Sequence, residues 1–262
     1  MKQIDLKQDK PQGKPIQSHE TFSFCCHSGL SCFNLCCRNL NLMLYPYDVL
    51  RLKNHLGISS DEFLDRHVDV VLRPSSFFPE VLLKMSETSE KTCPFLTDAG
   101  CSVYPDRPDA CRTFPMEQGV MYNKGKEKEK FVYFFRPPDF CQGRFENAQW
   151  TPLAWIRDQD AEIYQKMTAR WARVKSLFQC DPWQGQGPDC PRGKMAFMAA
   201  YNIDRFRDFV FQSTFLKRYP IKSDVLKRIR ASDTELLKLG FEWIEFFIWG
   251  IASKNIRLKQ RV

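Results

Sequence analysis

The sequence has no apolar run long enough to cross a membrane. The longest candidate, Phe241 to Ala252, is broken by Glu242 and Glu245 and falls well short of the ~20 apolar residues a spanning helix needs. The opening MKQIDLKQDKPQGKPIQSHE lacks the apolar core and small-residue cleavage site of a secretory signal, which points to a cytoplasmic protein. No HExxH zinc-hydrolase helix, no phosphate-binding P-loop and no nucleophile with a recognisable local signature occurs. Gly185-Gln-Gly187 is the sole Gly-x-Gly; it follows a helical pattern and lacks the strand that a dinucleotide or S-adenosylmethionine loop requires. Histidine is scarce, at four residues, and His19, His55 and His67 show no ligand spacing to one another.

Cysteine, by contrast, is abundant: eleven among 262 residues. In a reducing compartment a disulfide framework is not expected of a chain this long, so metal binding leads. Lys and Arg total 39 against 31 Asp and Glu, a formal charge of +8 read as spread along the chain rather than gathered in long basic blocks. That balance permits an acidic partner without requiring one.

Residues 1–20 read as a polar leader, 21–150 as a cysteine-cluster module and 151–262 as a helical region, giving an α+β protein. Pro46 opens a helix that Gly57 stops, and Ser59 or Ser60 caps a second one burying Phe63, Leu64 and Val68. This pair has the outline of a DNA-binding helix-turn-helix. Its second helix, however, carries Asp61, Glu62, Asp65 and Asp69 where base readout wants Arg, Lys or Asn, so nucleic acid is not the expected partner; the partner stays unassigned, with a protein as one option. Val70–Leu72, Val81–Met85 and Phe131–Phe135 are β-prone, the last after a charged turn beginning Lys124-Gly125. One long helix is expected from Thr151-Pro152 to about Phe178. Others are expected over Lys194 to Phe215, Ser223 to Ile229 and Ser232 to Trp249.

The chemistry concentrates in Cys25-Cys26-x5-Cys32-x3-Cys36-Cys37, followed by Arg38. Thiolates a few residues apart can converge on one metal at ~2.3 Å when a turn gathers their sulfurs. The side chains of adjacent cysteines diverge, which lets Cys36 and Cys37 serve two metals, or one metal and a packing role. A second group comprises Cys93-Pro-Phe-Leu, the segment CSVYPDRPDACRTFP from Cys101 to Pro115 with Cys111 inside it, and Cys141-Gln-Gly. Pro and Gly beside these cysteines favour irregular backbone that turns N–H groups toward sulfur. Arg38, Arg107, Arg112, Arg136 and Arg144 could offset the thiolate charge, His27 could add a nitrogen ligand, and Asp106, Asp109 and Asp139 could contribute oxygens or form turns.

These motifs, over roughly residues 22–150, resemble the cysteine-cluster family named for a CxxCxxCC motif. The match lies in Cys26, Cys32, Cys36 and Cys37, the CPFL at Cys93, the Cys101–Pro115 segment and Cys141-Gln-Gly. The resemblance implies a zinc- or iron-chelating module. The family includes a flagellin lysine N-methylase whose cysteine module is thought to hold an iron–sulfur cluster, so a methylase-like enzyme using S-adenosylmethionine is one alternative and a zinc-stabilised interaction module another. The expected ligand set is Cys26, Cys32, Cys36, Cys37, Cys93, Cys101, Cys111 and Cys141, with Cys25 open as a substitute for Cys26. Thiolate softness suits both zinc and an iron–sulfur cluster. Cys180 and Cys190 stand apart as loop cysteines.

Overall fold

The computed structural model describes residues 2–3, 15–74, 76–121 and 130–257. Most of the polar leader, the charged segment 124–129, and Lys259 and Arg261 of the basic tail lie outside them. The chain opens with two short strands, β1 (Lys2–Gln3) and β2 (Phe22–Ser23), then β3 (Met43–Leu44), helices α1 (Pro46–Leu56) and α2 (Ser60–His67), and strands β4 (Val68–Leu72) and β5 (Glu80–Leu83). Strands β6 (Leu96–Thr97) and β7 (Gly100–Cys101), helix α3 (Asp109–Thr113), a long hairpin of β8 (Met116–Met121) and β9 (Lys130–Phe135), and β10 (Gln149–Trp150) follow. The remainder is helical: α4 (Pro152–Asp158), α5 (Glu162–Leu177), α6 (Pro191–Tyr201), α7 (Ile203–Gln212), α8 (Phe215–Arg218), α9 (Ser223–Ala231) and α10 (Asp233–Trp249). The α+β class read from the sequence holds, and no described helix is long and apolar enough to cross a membrane.

Local chemistry sets many of the boundaries. Pro46 sits in the first turn of α1, the Tyr45 N–H donates to the Asp48 carboxylate at 2.8 Å, and Gly57 ends the helix at φ 65°, where a Cβ would be strained. Ser59 caps α2 by accepting the Glu62 N–H at 3.1 Å; Thr151 and Ser232 cap α4 and α10 in the same way.

Two expected helices are interrupted. The span from Thr151 to Phe178 divides into α4 and α5, with Asp160 at φ 50° between them. The Gln159 carbonyl accepts the Arg112 guanidinium at 2.7 Å and its side-chain oxygen accepts Arg107 at 2.5 Å, bonds that hold this corner outside a helix. The span from Lys194 to Phe215 divides into α6, α7 and α8. Asn202 breaks it by accepting the Arg205 N–H at 3.1 Å as the cap of α7, while its amide donates to Asp61 at 2.7 Å.

The described residues divide into two compact units. One takes Met43–Leu83 and the chain from Arg170 onward, together with β1. Its sheet has the order β1-β4-β5-β3, antiparallel except for the parallel β1–β4 pair. Phe63, Phe78, Phe206 and Trp243 are fully buried, and Trp171 packs its ring 5.5 Å from Phe241 and 5.6 Å from Phe78 and Tyr201. Buried Glu80 pairs with Arg73 at 2.5 Å and with Lys175, so its charge is compensated inside the fold.

The other unit takes the described residues of Leu6–Leu42 and Lys84–Ala169 and holds nine of the eleven cysteines. Its core gathers Phe22, Phe24, Met116, Tyr133, Cys141, Trp155 and Ile156. Trp155 stands edge-on to Phe24 with ring centres 5.4 Å apart and donates its indole N–H to the Thr113 carbonyl at 2.9 Å.

Candidate metal centre

The first cysteine cluster grows out of β2. Phe24 and Cys25 continue that edge by donating to the Ala148 and Gly143 carbonyls at 2.9 and 3.1 Å. Gly143 is required here: a Cβ would lie 2.6 Å from the Cys25 carbonyl oxygen and 2.9 Å from the Phe24 ring. From His27 the backbone closes four successive tight turns, with Leu30, Phe33, Leu35 and Cys37 each donating to the residue three before it. Asn34 takes the left-handed conformation before the short 3-10 turn Leu35–Cys37. This coiling draws Cys32 and Cys36 onto the loop that carries Cys26.

The second group is fastened to the first through backbone. The Cys93 N–H donates to the Cys37 carbonyl at 2.8 Å, and Asn39 donates to the Lys91 carbonyl at 2.9 Å. Cys101 sits opposite Leu96 in the β6–β7 hairpin. Three cysteines of this group are favoured as thiolates by N–H groups of the turns that follow them: those of Phe95 and Leu96 at Cys93, of Val103 at Cys101, and of Gly143 and Arg144 at Cys141. Cys32 receives the Gln142 N–H at 3.2 Å. Such donors stabilise sulfur as thiolate.

Electrostatics shows which thiols influence one another. Burial first, then Cys36, Cys32, Cys141 and Cys25, push Cys26 up to about 11. Burial raises Cys141, with Cys32 and Cys36 adding to it against its two N–H donors, and burial raises Cys93 with Cys101 nearby. Cys101 is raised by burial and feels Cys36. A hydrogen bond with Cys37 and then burial push Cys36 above its usual range. Cys26, Cys32, Cys36 and Cys141 therefore share one neighbourhood, and Cys36 joins it to Cys37 and, with Cys101, to the β6–β7 hairpin. Crowded thiolates that raise one another's pKa are the arrangement a cation relieves.

Of the five arginines considered as counter-charges, three have carboxylate partners: Arg38 with Glu90, Arg136 with Glu117 at 2.6 Å and Arg144 with Asp139 at 3.7 Å. Arg112 donates to the Pro105 and Gln159 carbonyls and lies over the Tyr164 ring. Arg107 lies within electrostatic reach of the Cys101 and Cys111 thiols while stacking on Tyr104 at 3.7 Å. Arg107 and Arg112 thus fix the Cys101–Cys111 loop to the Gln159 corner, an anchoring role that the sequence did not disclose.

Asp109 is not among the thiols. It is buried, accepts from Gln118 at 2.7 Å and Thr168 at 2.8 Å, and is held up to about 6 by burial, against those bonds and Arg112. Asp139 is fully exposed. The His27 Nδ1 accepts the Gly29 N–H at 3.2 Å, and its Nε2 lies 3.8 Å from Glu146. Cys180 and Cys190 belong to the other unit. Cys180 is exposed, whereas the Cys190 sulfur caps α6 by accepting the Gly193 N–H at 3.4 Å.

Among the described residues no three His, Cys, Asp or Glu side chains are drawn together tightly enough to hold a metal as they stand. The donor chemistry nonetheless fits a soft metal, because several thiols share one neighbourhood and Cys32, Cys93, Cys101 and Cys141 receive backbone N–H groups. Residues 25–147 match the CxxCxxCC family, described as a putative zinc- or iron-chelating domain. No curated protein and no solved structure matches the chain.

Proposed function

We propose, from the match of residues 25–147 to the CxxCxxCC family model, that this protein holds a thiolate-bound metal centre on Cys26, Cys32, Cys36 and Cys141. Cys37, Cys93 and Cys101 form an adjoining second group, and Cys111 is held next to Arg107. The observation that carries this reading is the shared electrostatic neighbourhood of the first four thiols. A bound iron–sulfur cluster would supply a one-electron couple, and zinc a structural cross-link. The chain's own part is to converge the sulfurs, direct N–H groups at them, and lower the cost of their charge through Arg107. A cytoplasmic, reducing setting keeps the thiols available.

The test is purification of the full chain without oxygen after expression with both metals supplied, followed by metal analysis and visible absorption. At least one metal ion or cluster per chain is expected. Visible absorption that bleaches on reduction assigns an iron–sulfur cluster, and a colourless zinc protein assigns zinc. A folded protein that carries neither overturns the proposal.

A further inference from the structure

More than half of the chain's net charge of +8 stands on one short stretch. Over α8, α9 and the residues joining them, Lys217, Arg218, Lys222, Lys227, Arg228 and Arg230 share the stretch with a single acidic residue, Asp224. All six cations are exposed. Among the described residues Lys217, Arg218, Lys222 and Lys227 have no ion-pair partner, whereas Arg228 pairs with Asp224 at 3.1 Å and Glu235 at 3.8 Å and Arg230 lies over the Phe211 ring at 4.4 Å. The stretch is fixed from beneath: Val225 and Ile229 are buried, and Arg207 donates to the Ile229 and Arg230 carbonyls while pairing with Asp233 at 2.5 Å. Four cations without an ion-pair partner thus stand within one ordered surface segment, a charge excess that attracts an anion.

We propose that α8 and α9 form the docking surface for an acidic protein segment in which carboxylates alternate with apolar side chains. The pattern on α9 selects this occupant. Lys222, the residue that precedes α9, and Leu226 and Arg230 on it recur every four residues, so a half-buried leucine stands between two cations along the chain. A carboxylate-and-leucine segment matches that spacing, whereas a phosphodiester chain leaves Leu226 unused. An anionic membrane is a poorer match, because none of the exposed large apolar side chains lies between Ile203 and Trp249 to enter a bilayer. This surface is independent of the thiolate centre, and its failure would leave that reading untouched.

The experiment is fluorescence anisotropy on the full-length protein with a labelled peptide of glutamate and leucine, beside polyglutamate, a single-stranded thymidine oligonucleotide and phosphatidylglycerol vesicles. The Glu/Leu peptide is expected to bind most tightly and to weaken as salt rises. Reversal of Lys217, Arg218, Lys222 and Lys227 to Glu should weaken it at least ~10-fold, whereas the same reversal at exposed Lys91, Lys166, Lys194 and Arg257 should change it less than about threefold. Leu226→Ala should weaken the Glu/Leu peptide but not polyglutamate, and circular dichroism checks that each variant is folded. Equal losses in the two charge-reversed variants, tighter binding of the oligonucleotide or the vesicles, or no peptide binding at low salt would each overturn the proposal.

Discussion

The Cys93 N–H donates to the Cys37 carbonyl at 2.8 Å, so two cysteine segments far apart in sequence are fastened by backbone rather than by their sulfurs. The neighbouring thiol, Cys36, acts electrostatically on Cys26 and Cys141 and also on Cys101. Cys36→Ser should therefore lose more bound metal than Cys37→Ser, whose backbone contribution survives substitution. Cys180→Ser and Cys190→Ser should keep the full complement, since a serine at position 190 remains a good cap for α6. Metal per chain in the four variants decides this, and full metal content in Cys36→Ser would show the centre to be misplaced.

Trp155 ties α4 to the end of the Cys101–Pro115 segment through its indole bond to Thr113, and its ring fills the core beside Phe24. Trp155→Phe removes the bond, leaves a buried carbonyl unpaired and opens a small void. A loss of about 2–3 kcal/mol is expected in urea unfolding. A change below about 0.5 kcal/mol would mean that the carbonyl finds another donor.

Much of this architecture was legible because its signals are local. Pro46, Gly57, Ser59, Thr151 and Ser232 mark helix ends through their own backbone preferences and side-chain oxygens. The breaks at Asp160 and Asn202 were missed for different reasons. Nothing beside Asp160 announces that Arg107 and Arg112 hold the Gln159 corner, since those partners come from some fifty residues away. Asn202 did carry a signal, because asparagine competes with helix through its own side chain, but the apolar periodicity around it masked the break. At the site, Pro and Gly beside Cys93 and Cys141 correctly suggested N–H groups turned toward sulfur. The reading of the positive charge as spread out overlooked α8 and α9, because a net total hides a local excess when acids elsewhere cancel it.

Asp204 makes one contribution to stability pH-dependent. Burial raises its carboxyl, yet the Lys53 ammonium at 2.9 Å and the Ser60 N–H at 2.7 Å outweigh that and leave it below its ordinary value. A carboxyl depressed in the folded state stabilises above its unfolded pKa, ~3.9, and loses that contribution as pH falls through the lower folded value. With Asp204 partly exposed, the contribution is about 1 kcal/mol after allowance for solvent screening. Asp204→Asn should therefore be less stable than the parent at pH 7, and the gap should close below about pH 4. An equal gap at pH 3 and pH 7, measured by denaturant unfolding, would contradict the assignment.

Metal removal should act locally. The loop from Cys25 to Cys37, the β6–β7 hairpin and the turn after Cys141 have little regular structure, so their order depends on short backbone bonds and on whatever joins their sulfurs. A metal that binds only the folded arrangement adds its binding free energy to the stability of these segments, and a chelator withdraws it. After chelation, amide exchange should rise at least ~10-fold at Leu35, Cys37, Cys93 and Leu96, whose N–H groups close those turns. Amides of α10 belong to the other unit, hold regular helical bonds and should be unchanged. Restoring the metal should return the fast amides to their original rates. Uniform acceleration across both units would instead show that the metal governs global unfolding, and unchanged rates at Cys93 and Leu96 would remove the hairpin from the centre.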